Sequence, residues 1–507
     1  MEIETTIDHF PDGITNDPRG KEGAAIITNF DVFTDPKKLT PYYDSESGDS
    51  AASTSQKQNF AIALRTGTTY SLYSLGVVSG TARAEILYKN LTTGAATDLD
   101  DDGWTNTSNN QSASGAASFG LFVYYKKRAR IFFANAGTTI GSYDPSGTAA
   151  INDENRSISY TNIAQGLVHS KDDILYIPYD NKIAKNDNNS WTDTALVLPS
   201  HFYITSICEY GNYLAIACAP LSGVGSSRVY LWDRDSTLAT LSESIDWGEG
   251  VLNVLEELDG YLIGISTSAT ATRTRYRVLF KRWIAGTAAQ RFQELTSSSS
   301  PVLNIAKQKV DNRLYFMLVA TVNGAIRSGV WSIGRKNPSS EFILIHERTP
   351  DNDTALGAGV LKNFFIVGDF MFISYVNNSS AYALSKTNDQ SSYTATSIYE
   401  SRYFDGSQKH VDRSLKKKLK GITVTYEPLP SSGQVVVKYK KDEDTSFTTI
   451  FTDSTDNSIS HSSINIESTK ANLPEYKEIA FRFESTGGAV IRGYSFKEEV
   501  TGKRTYE

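Results

Sequence analysis

One phrase constrains this chain more than any other feature: an apolar run, a short polar turn, then a second apolar run. It reads LFVYY at 121–125, a turn at 126–130 and IFFA at 131–134, then LV at 167–168, KDD at 171–173 and ILYI at 174–177. It returns as ITSICEY at 204–210, Gly211-Asn212 and YLAIACA at 213–219, and as VLNVLEEL at 251–258, Asp259-Gly260 and YLIGI at 261–265. Two more copies follow, 303–310 with a turn at 311–313 and 314–319, and 358–367 with Gly368-Asp369 and 370–375. The turns recur roughly every 40 to 60 residues, which is the period of four-stranded propeller blades with variable loops. A weaker copy over 60–88, with runs at 60–64, 69–75 and 84–88, brings the expectation to about seven blades. Outer strands are expected at 227–232, 275–283 and 329–333, each following a central hairpin and ending near an aromatic residue.

Composition agrees with a sheet protein. Tyr (28) and Phe (23) far outnumber Met (3) in the 507 residues, which suits pleated, half-buried surfaces rather than helix bundles. A formal net charge of −7 gives no overall basic field to recruit nucleic acid. The opening MEIETTIDHFPDG lacks a basic segment followed by an apolar one, and no run of about 18 apolar residues occurs, so neither a cleaved signal nor a membrane-spanning helix is expected. The two cysteines, Cys208 and Cys218, share a hairpin. A two-residue turn at Gly211-Asn212 pairs position 208 with 215 and puts 218 on the opposite face, so they read as separate buried thiols.

Outside the repeats the pattern changes. Residues 1–56 form an arm broken by Pro11, Gly13, Pro18, Gly20, Pro36 and Pro41, in which 25–29 and 30–33 are the only strand-like runs. One of these is expected to complete a blade or pack along the rim. Residues 57–396 hold the repeats. From 397 to 507, six longer alternating runs (397–404, 419–426, 434–440, 445–451, 478–484 and 490–497) predict a small β-sandwich. The fold class is therefore all-β: a propeller of about seven blades with an extended N-terminal arm and a C-terminal sandwich.

Chemistry-bearing motifs are sparse. Asp98, Asp100 and Asp102 alternate before Gly103, which matches the first half of a calcium loop, but Asn109 stands where the bidentate Glu is expected. A solvated acidic turn is the competing reading of the same residues. The run Lys409, Arg413, Lys416, Lys417, Lys418 and Lys420 reverses the acidic balance locally. It could face phosphates or an acidic partner, or guard an edge strand against unwanted pairing. The six histidines (9, 169, 201, 346, 410 and 461) are scattered, with no HExxH. Gly-x-Ser-x-Gly, a phosphate loop with Lys-Ser/Thr and the repeated Asp boxes of sialidase-type propellers are all missing, and Trp232-Asp233 is a lone WD dipeptide. Carboxylates for glycoside cleavage could still converge from distant blades.

The flanks carry a resemblance. The segment FPDGITNDPRGKEGAAIITNFDVFTDPKKLTPYYDSE (10–46) has a Gly-Ile turn before Asn-Phe-Asp and a Pro/Leu/Pro stretch, and is similar to the start of tailed-bacteriophage virion proteins. The stretches KKLKGITVTYEPLPSSGQVVVKYKKDEDTSFTTIF (417–451) and YKEIAFRFESTGGAVIRGYSFKEE (476–499) resemble the β-sandwich that closes many phage tail proteins. With the blades, the layout resembles the β-propeller nozzle or hub proteins at the end of short phage tails. The resemblance implies a structural virion protein of the tail and not an enzyme. Copies would form a ring, six of them, around a channel through which genomic DNA leaves without sequence recognition, docked to adaptor and fibre proteins. It implies no cofactor, calcium at the 98–102 loop aside. The interface residues expected are Phe10, Gly13, Asn29, Phe30, Phe33, Lys416, Lys417, Lys418 and Lys420. The alternative is a carbohydrate-binding or carbohydrate-cleaving propeller, a receptor-binding tail protein using Trp104, Trp191 and Trp247 to stack on sugars.

Overall fold

The structure is a computed structural model. It describes residues 2–8, 10, 14, 24–35, 37–47, 55–78, 83–92, 99, 104–112, 120–135, 139–146, 152–153, 158–223, 225–235, 243–269, 276–322, 325–335, 338–350, 361–376, 382–387, 393, 396–406, 414–463 and 475–501. Among these residues there is no α-helix, and one 3-10 turn at Lys126–Arg128 is the only helical segment. The protein is all-β and propeller-like, built from many small antiparallel sheets. Two compact units are resolved: Met1–Ser45 with Trp331–Arg348 and Asn388–Glu507, and Glu46–Val330 with Thr349–Thr387. The division falls inside the strand Ala325–Gly334.

In the second unit the hairpin phrase becomes a series of sheets whose strands follow chain order. The first holds Ser55–Thr66, Thr69–Val78, Arg83–Asn90 and Thr105–Ser112; the second, Phe122–Tyr125, Arg130–Asn135, Thr139–Tyr143 and Asn152–Asp153. The third holds Leu167–His169, Ile174–Tyr179, Lys182–Asp187 and Ser190–Val197; the fourth, Phe202–Tyr210, Tyr213–Pro220, Ser226–Trp232 and Glu243–Glu249; the fifth, Val251–Leu258, Tyr261–Ala269, Tyr276–Trp283 and Gln290–Ser297. A sixth group starts Val302–Val310, Arg313–Val322 and Ala325–Gly334, and the seventh Leu361–Val367, Phe370–Val376 and Tyr382–Thr387.

The turns explain why these hairpins form locally. Asp259 and Gly260 both take positive φ (53° and 80°), as a type I′ turn needs, and Gly211 alone does so (59°) before Asn212, as in type II′. Both turn types match the right-handed twist of the strands they join.

Successive sheets are glued by apolar clusters. Tyr73, Leu75, Phe122 and Phe133 join the first to the second, and Phe132, Ile140, Leu175 and Ile177 the second to the third. Tyr176, Ile183, Ile216 and Trp232 join the third to the fourth, and Cys208, Val229, Trp247 and Leu262 the fourth to the fifth. Phe280 meets Phe316 at 6.0 Å between the fifth and sixth. Met317, Val330, Phe364 and Ile373 join the sixth to the seventh, and Phe60, Leu72, Val367 and Phe372 return the seventh to the first. Gly264 shows how close this packing is: a Cβ there would lie 2.4 Å from the Trp247 ring.

The seventh sheet takes its fourth strand from Ser45–Ser47, before the first sheet in sequence. Of the two runs expected to complete a blade or pack along the rim, Ala24–Thr28 joins the sheet of Ile343–Arg348, the strand that follows Ala325–Gly334. Ala24–Thr28 is buried along its whole length, so it needs partners on both edges. It finds Ile343–Arg348 (parallel, Thr28 with His346) and Ser397–Ser401 (antiparallel). The arm also contains a strand that alternation alone did not reveal: Glu2–Ile7 pairs antiparallel with Ile491–Val500, Glu2 opposite Glu499.

The first unit holds two layers of strands. One runs Glu2–Ile7, Ile491–Val500, Lys417–Tyr426, Ser460–Ser463, with Glu475–Tyr476 also on Lys417–Tyr426. The other runs Ile343–Arg348, Ala24–Thr28, Ser397–Ser401, Ile479–Thr486, Gln434–Lys441, Thr448–Asp453. Aromatic rings from the two meet, Phe481 with Phe496 at 4.9 Å and Phe483 with Tyr494 at 4.5 Å. No helix of the described residues is long and apolar enough to cross a membrane.

Candidate functional site: the first strands of the repeated sheets

Polar side chains on the first strand of one sheet reach the backbone of the first strand of the next. Ser206 Oγ donates to Leu255 O at 3.3 Å and accepts from Leu255 N at the same distance, tying the fourth sheet to the fifth. Asn253 Nδ2 donates to Leu303 O at 3.1 Å, tying the fifth to the sixth. Gln308 imitates a ladder residue: its Nε2 donates to Ile366 O and its Oε1 accepts from Ile366 N, both at 2.7 Å. Asn363 Nδ2 then donates to Asn59 Oδ1 at 2.9 Å, from the seventh sheet to the first. Each such bond contributes about 0.5–1.5 kcal/mol net, and each would cost more if one partner were removed inside the protein.

Lys307 is the most connected member. Its ammonium, on a side chain only 9% exposed, pairs with Glu256 at 2.8 Å and donates to Ile207 O at 2.8 Å and to Leu255 O. One cation thus holds the first strands of three consecutive sheets. The turns beyond these strands are also linked, Lys309 to Glu257 at 2.6 Å and Asn312 Nδ2 to Asp259 Oδ1 at 2.5 Å.

A second polar cluster, of His169, Asp172, Tyr176 and Arg234, lies between the third and fourth sheets. His169 Nδ1 faces Arg234 Nη1 at 3.0 Å; the same guanidinium binds Asp172 at 2.5 Å, and Tyr176 donates to that carboxylate at 3.0 Å. Burial, aided by the Arg234 charge, holds the His169 pKa below its usual value. The ring is fully buried and, through Arg234, links the third and fourth sheets.

The residues that sequence reasoning singled out sit as follows. Asp98, Asp100 and Asp102 lie outside the described residues, as does Gly13; among the described residues no group of three His, Cys, Asp or Glu is placed to hold a metal ion. Phe10 is buried edge-on against Tyr399 at 5.2 Å. Asn29, at φ 61°, donates to Thr396 O at 3.1 Å and accepts at its carbonyl from Ser397 Oγ at 2.9 Å. Phe30 is fully buried, and Phe33 is half-buried with its N–H on Asp31 Oδ1 at 2.8 Å. Phe10 and Asn29 therefore converge on the segment 396–401.

Lys417, Lys418 and Lys420 share the strand Lys417–Tyr426 but not a face, and Lys416 precedes it. Lys416 is exposed and 3.9 Å from Glu475, Lys418 is half-buried, and Lys420 pairs with Glu499 at 2.8 Å. Lys417 is fully buried, donating to Lys477 O at 2.7 Å and Leu415 O at 3.1 Å. Close by in the interior, Glu498 accepts from Tyr476 OH at 2.9 Å. Burial raises the Glu498 pKa, partly offset by the Tyr476 hydrogen bond and the Lys417 charge. Among the tryptophans, Trp247 is core, Trp104 packs on Phe60 and Phe372, and Trp191 on Phe132. The cysteines follow the expected register, Cys208 opposite Ala215 and Cys218 opposite Ile204, in different apolar clusters.

Asp453 gives a pH-dependent lock in the first unit. Burial pushes its pKa up, but hydrogen bonds from Tyr426, Thr455 and Ser458 outweigh it and hold the carboxyl at about 2. A carboxyl depressed by folding stabilises above its unfolded pKa of about 3.9 and loses that contribution as pH falls through the folded value. The thermal stability of the wild type should therefore fall between about pH 4 and pH 2, and Asp453→Asn should start lower and change less across that interval, read by circular dichroism at each pH.

No protein-family model and no curated protein matches the chain. Among solved structures, a chain described as a glycoside hydrolase is similar over 89% of this chain and 100% of its own, at 8% identity and a TM-score of 0.28, a level that carries no functional argument.

Proposed function

We propose that the repeated sheets form a seven-bladed propeller, that residues 397–507 supply a β-sandwich, and that the protein is a structural component of a bacteriophage tail. In this reading it is the nozzle or hub: six copies form a ring that continues the DNA ejection channel and docks adaptor and fibre proteins, with no catalytic step of its own. The observation that carries the reading is the set of side-chain bonds that links first strands from the fourth sheet through the seventh to the first, centred on Lys307. A part that guides a genome under pressure must resist blades sliding apart, and apolar clusters alone are less directional than bonded strands. Closure of the seventh sheet by Ser45–Ser47 supports it too, because a segment that precedes the first sheet in sequence completes the last. The resemblance of 10–46, 417–451 and 476–499 to tail proteins supplies the location, the virion tail.

The test is cryo-electron microscopy of the particle that carries this chain. Density for six copies around the tail axis is the expected result; a position off the axis, or in fibres alone, overturns the reading. Cleavage of host polysaccharide by the purified chain, abolished by one carboxylate substitution, would overturn the structural assignment in favour of a sugar-cleaving propeller.

A further inference from the structure

Arg234 lies just past the strand Ser226–Trp232 of the fourth sheet, with φ at 75°, a left-handed backbone that residues other than glycine adopt uncommonly. Its guanidinium crosses to the third sheet, where Nη1 stands 3.0 Å from His169 Nδ1 and 2.5 Å from Asp172 Oδ2. On its own side Nη2 donates to Asn212 O at 3.1 Å. Nε is buried with no hydrogen-bond partner among the described residues, so it would gain hydration on leaving. A strained segment is thus held against the third sheet by one side chain.

Two N–H donors converge on His169 Nδ1, because the backbone N–H of Lys171 also points at it, from 3.3 Å. They require a lone pair there, so the neutral ring carries its proton on Nε2. A second proton would face both donors, one of them cationic, on a ring that is fully buried. Two carboxylates pull the other way. Asp172 Oδ1 lies 3.9 Å from Nδ1, and Glu209, from the first strand of the fourth sheet, is fixed by Ser170 N–H at 2.6 Å and Ser170 Oγ at 2.5 Å. Tyr176 stands edge-on to the ring at 6.4 Å. We propose that His169 and Arg234 form an acid-sensitive latch between the third and fourth sheets. A proton from water bonds to Nδ1, the two donors to that atom are displaced, and Asp172 passes from the guanidinium to the imidazolium. Arg234 is the partner that leaves, since Asp172 belongs to the turn that follows His169. Burial and the Arg234 charge outweigh the carboxylates while the latch is closed and keep the histidine pKa low. A histidine whose pKa is lowered by folding destabilises the folded arrangement as pH falls below the unfolded value of about 6.5, so the latch opens on the acid side. The inference goes beyond the tail-structural reading and does not rest on it.

Hydrogen-deuterium exchange on the full chain, read by mass spectrometry and corrected for the intrinsic rate at each pH, tests it. Between pH 7.5 and pH 5 the wild type should lose about ten-fold or more protection over 167–176 and 226–235, reversibly, while 251–265 in the fifth sheet keeps its own. His169→Gln, which offers an oxygen to the same donors and does not titrate, should hold protection flat. Arg234→Gln should exchange at pH 7.5 as the wild type does at pH 5, and respond little to pH. No loss in the wild type, an equal loss in the fifth sheet, or an equal loss in His169→Gln overturns the proposal. Should His169→Gln not fold, a pH-dependent loss in Arg234→Gln as large as that of the wild type overturns it instead.

Discussion

Replacing Lys307 by methionine is expected to lower the stability of the repeated-sheet unit by about 3 kcal/mol. The substitution keeps the apolar stem and removes the charge. Breaking a buried ion pair costs roughly 3–5 kcal/mol, mostly because the remaining charge stays inside without a partner. The lower end applies because Glu256 retains 19% side-chain exposure and can recover some hydration. Two backbone carbonyls, of Ile207 and Leu255, lose their donor as well. Urea unfolding followed by tryptophan fluorescence reads the loss, since Trp232, Trp247 and Trp283 sit in the fourth and fifth sheets that Lys307 joins. Adding Glu256→Gln to Lys307→Met should restore part of it, because the stranded carboxylate is gone. A loss below about 1 kcal/mol in the single variant would show that the cation works as an exposed pair does, and the proposed stiffening of the ring would lose its main support.

Lys417→Met should be comparably damaging to the other unit, by about 3–5 kcal/mol at neutral pH. Lys417 is fully buried and its charge acts on Glu498, which is itself only 2% exposed. Without the ammonium, Glu498 keeps only the Tyr476 hydroxyl, and its folded pKa rises further above the unfolded value. A carboxyl raised by folding disfavours the fold at pH above both values, and the cost vanishes as pH falls below the unfolded pKa of about 4.3. The gap between variant and wild type should therefore be widest near pH 7 and narrow toward about pH 4, measured by thermal melts across that range. Lys416→Met, at the adjacent but exposed position, should change stability by less than about 0.5 kcal/mol. This pair separates what the sequence presents as one basic run: Lys417 is part of the interior, while Lys416 is exposed beside Glu475.

The repeated hairpins were readable because their information is local. Alternation sets each strand, and Gly211, Asp259 and Gly260 accept the positive φ that closes each turn, so the contacts being inferred lie within about ten residues. The cysteine faces followed from the same register. The long C-terminal strands were also legible, although 397–404 proved shorter, as Ser397–Ser401. Glu2–Ile7 was missed because its alternation is incomplete, with Ile3 its only buried residue, and its partner Ile491–Val500 lies at the far end of the sequence. The closing strand Ser45–Ser47 is three residues of ordinary polarity and carries no pattern at all.

The candidate site was the least visible part. Lys307, Gln308 and Asn253 look like solvent-facing residues of an alternating strand, and only the neighbouring first strand turns them into bonds. His169, Asp172 and Arg234 come from two different sheets, and nothing in their spacing announces a latch. The sequence by itself determined an all-β chain of repeated hairpins followed by longer strands, because hydrophobic period and turn geometry act between near neighbours. Only the tertiary structure decided which strand closes the seventh sheet, which lysines are buried and where polar groups converge. Those outcomes depend on burial and hydrogen bonding between residues tens to hundreds of positions apart, which no local pattern encodes.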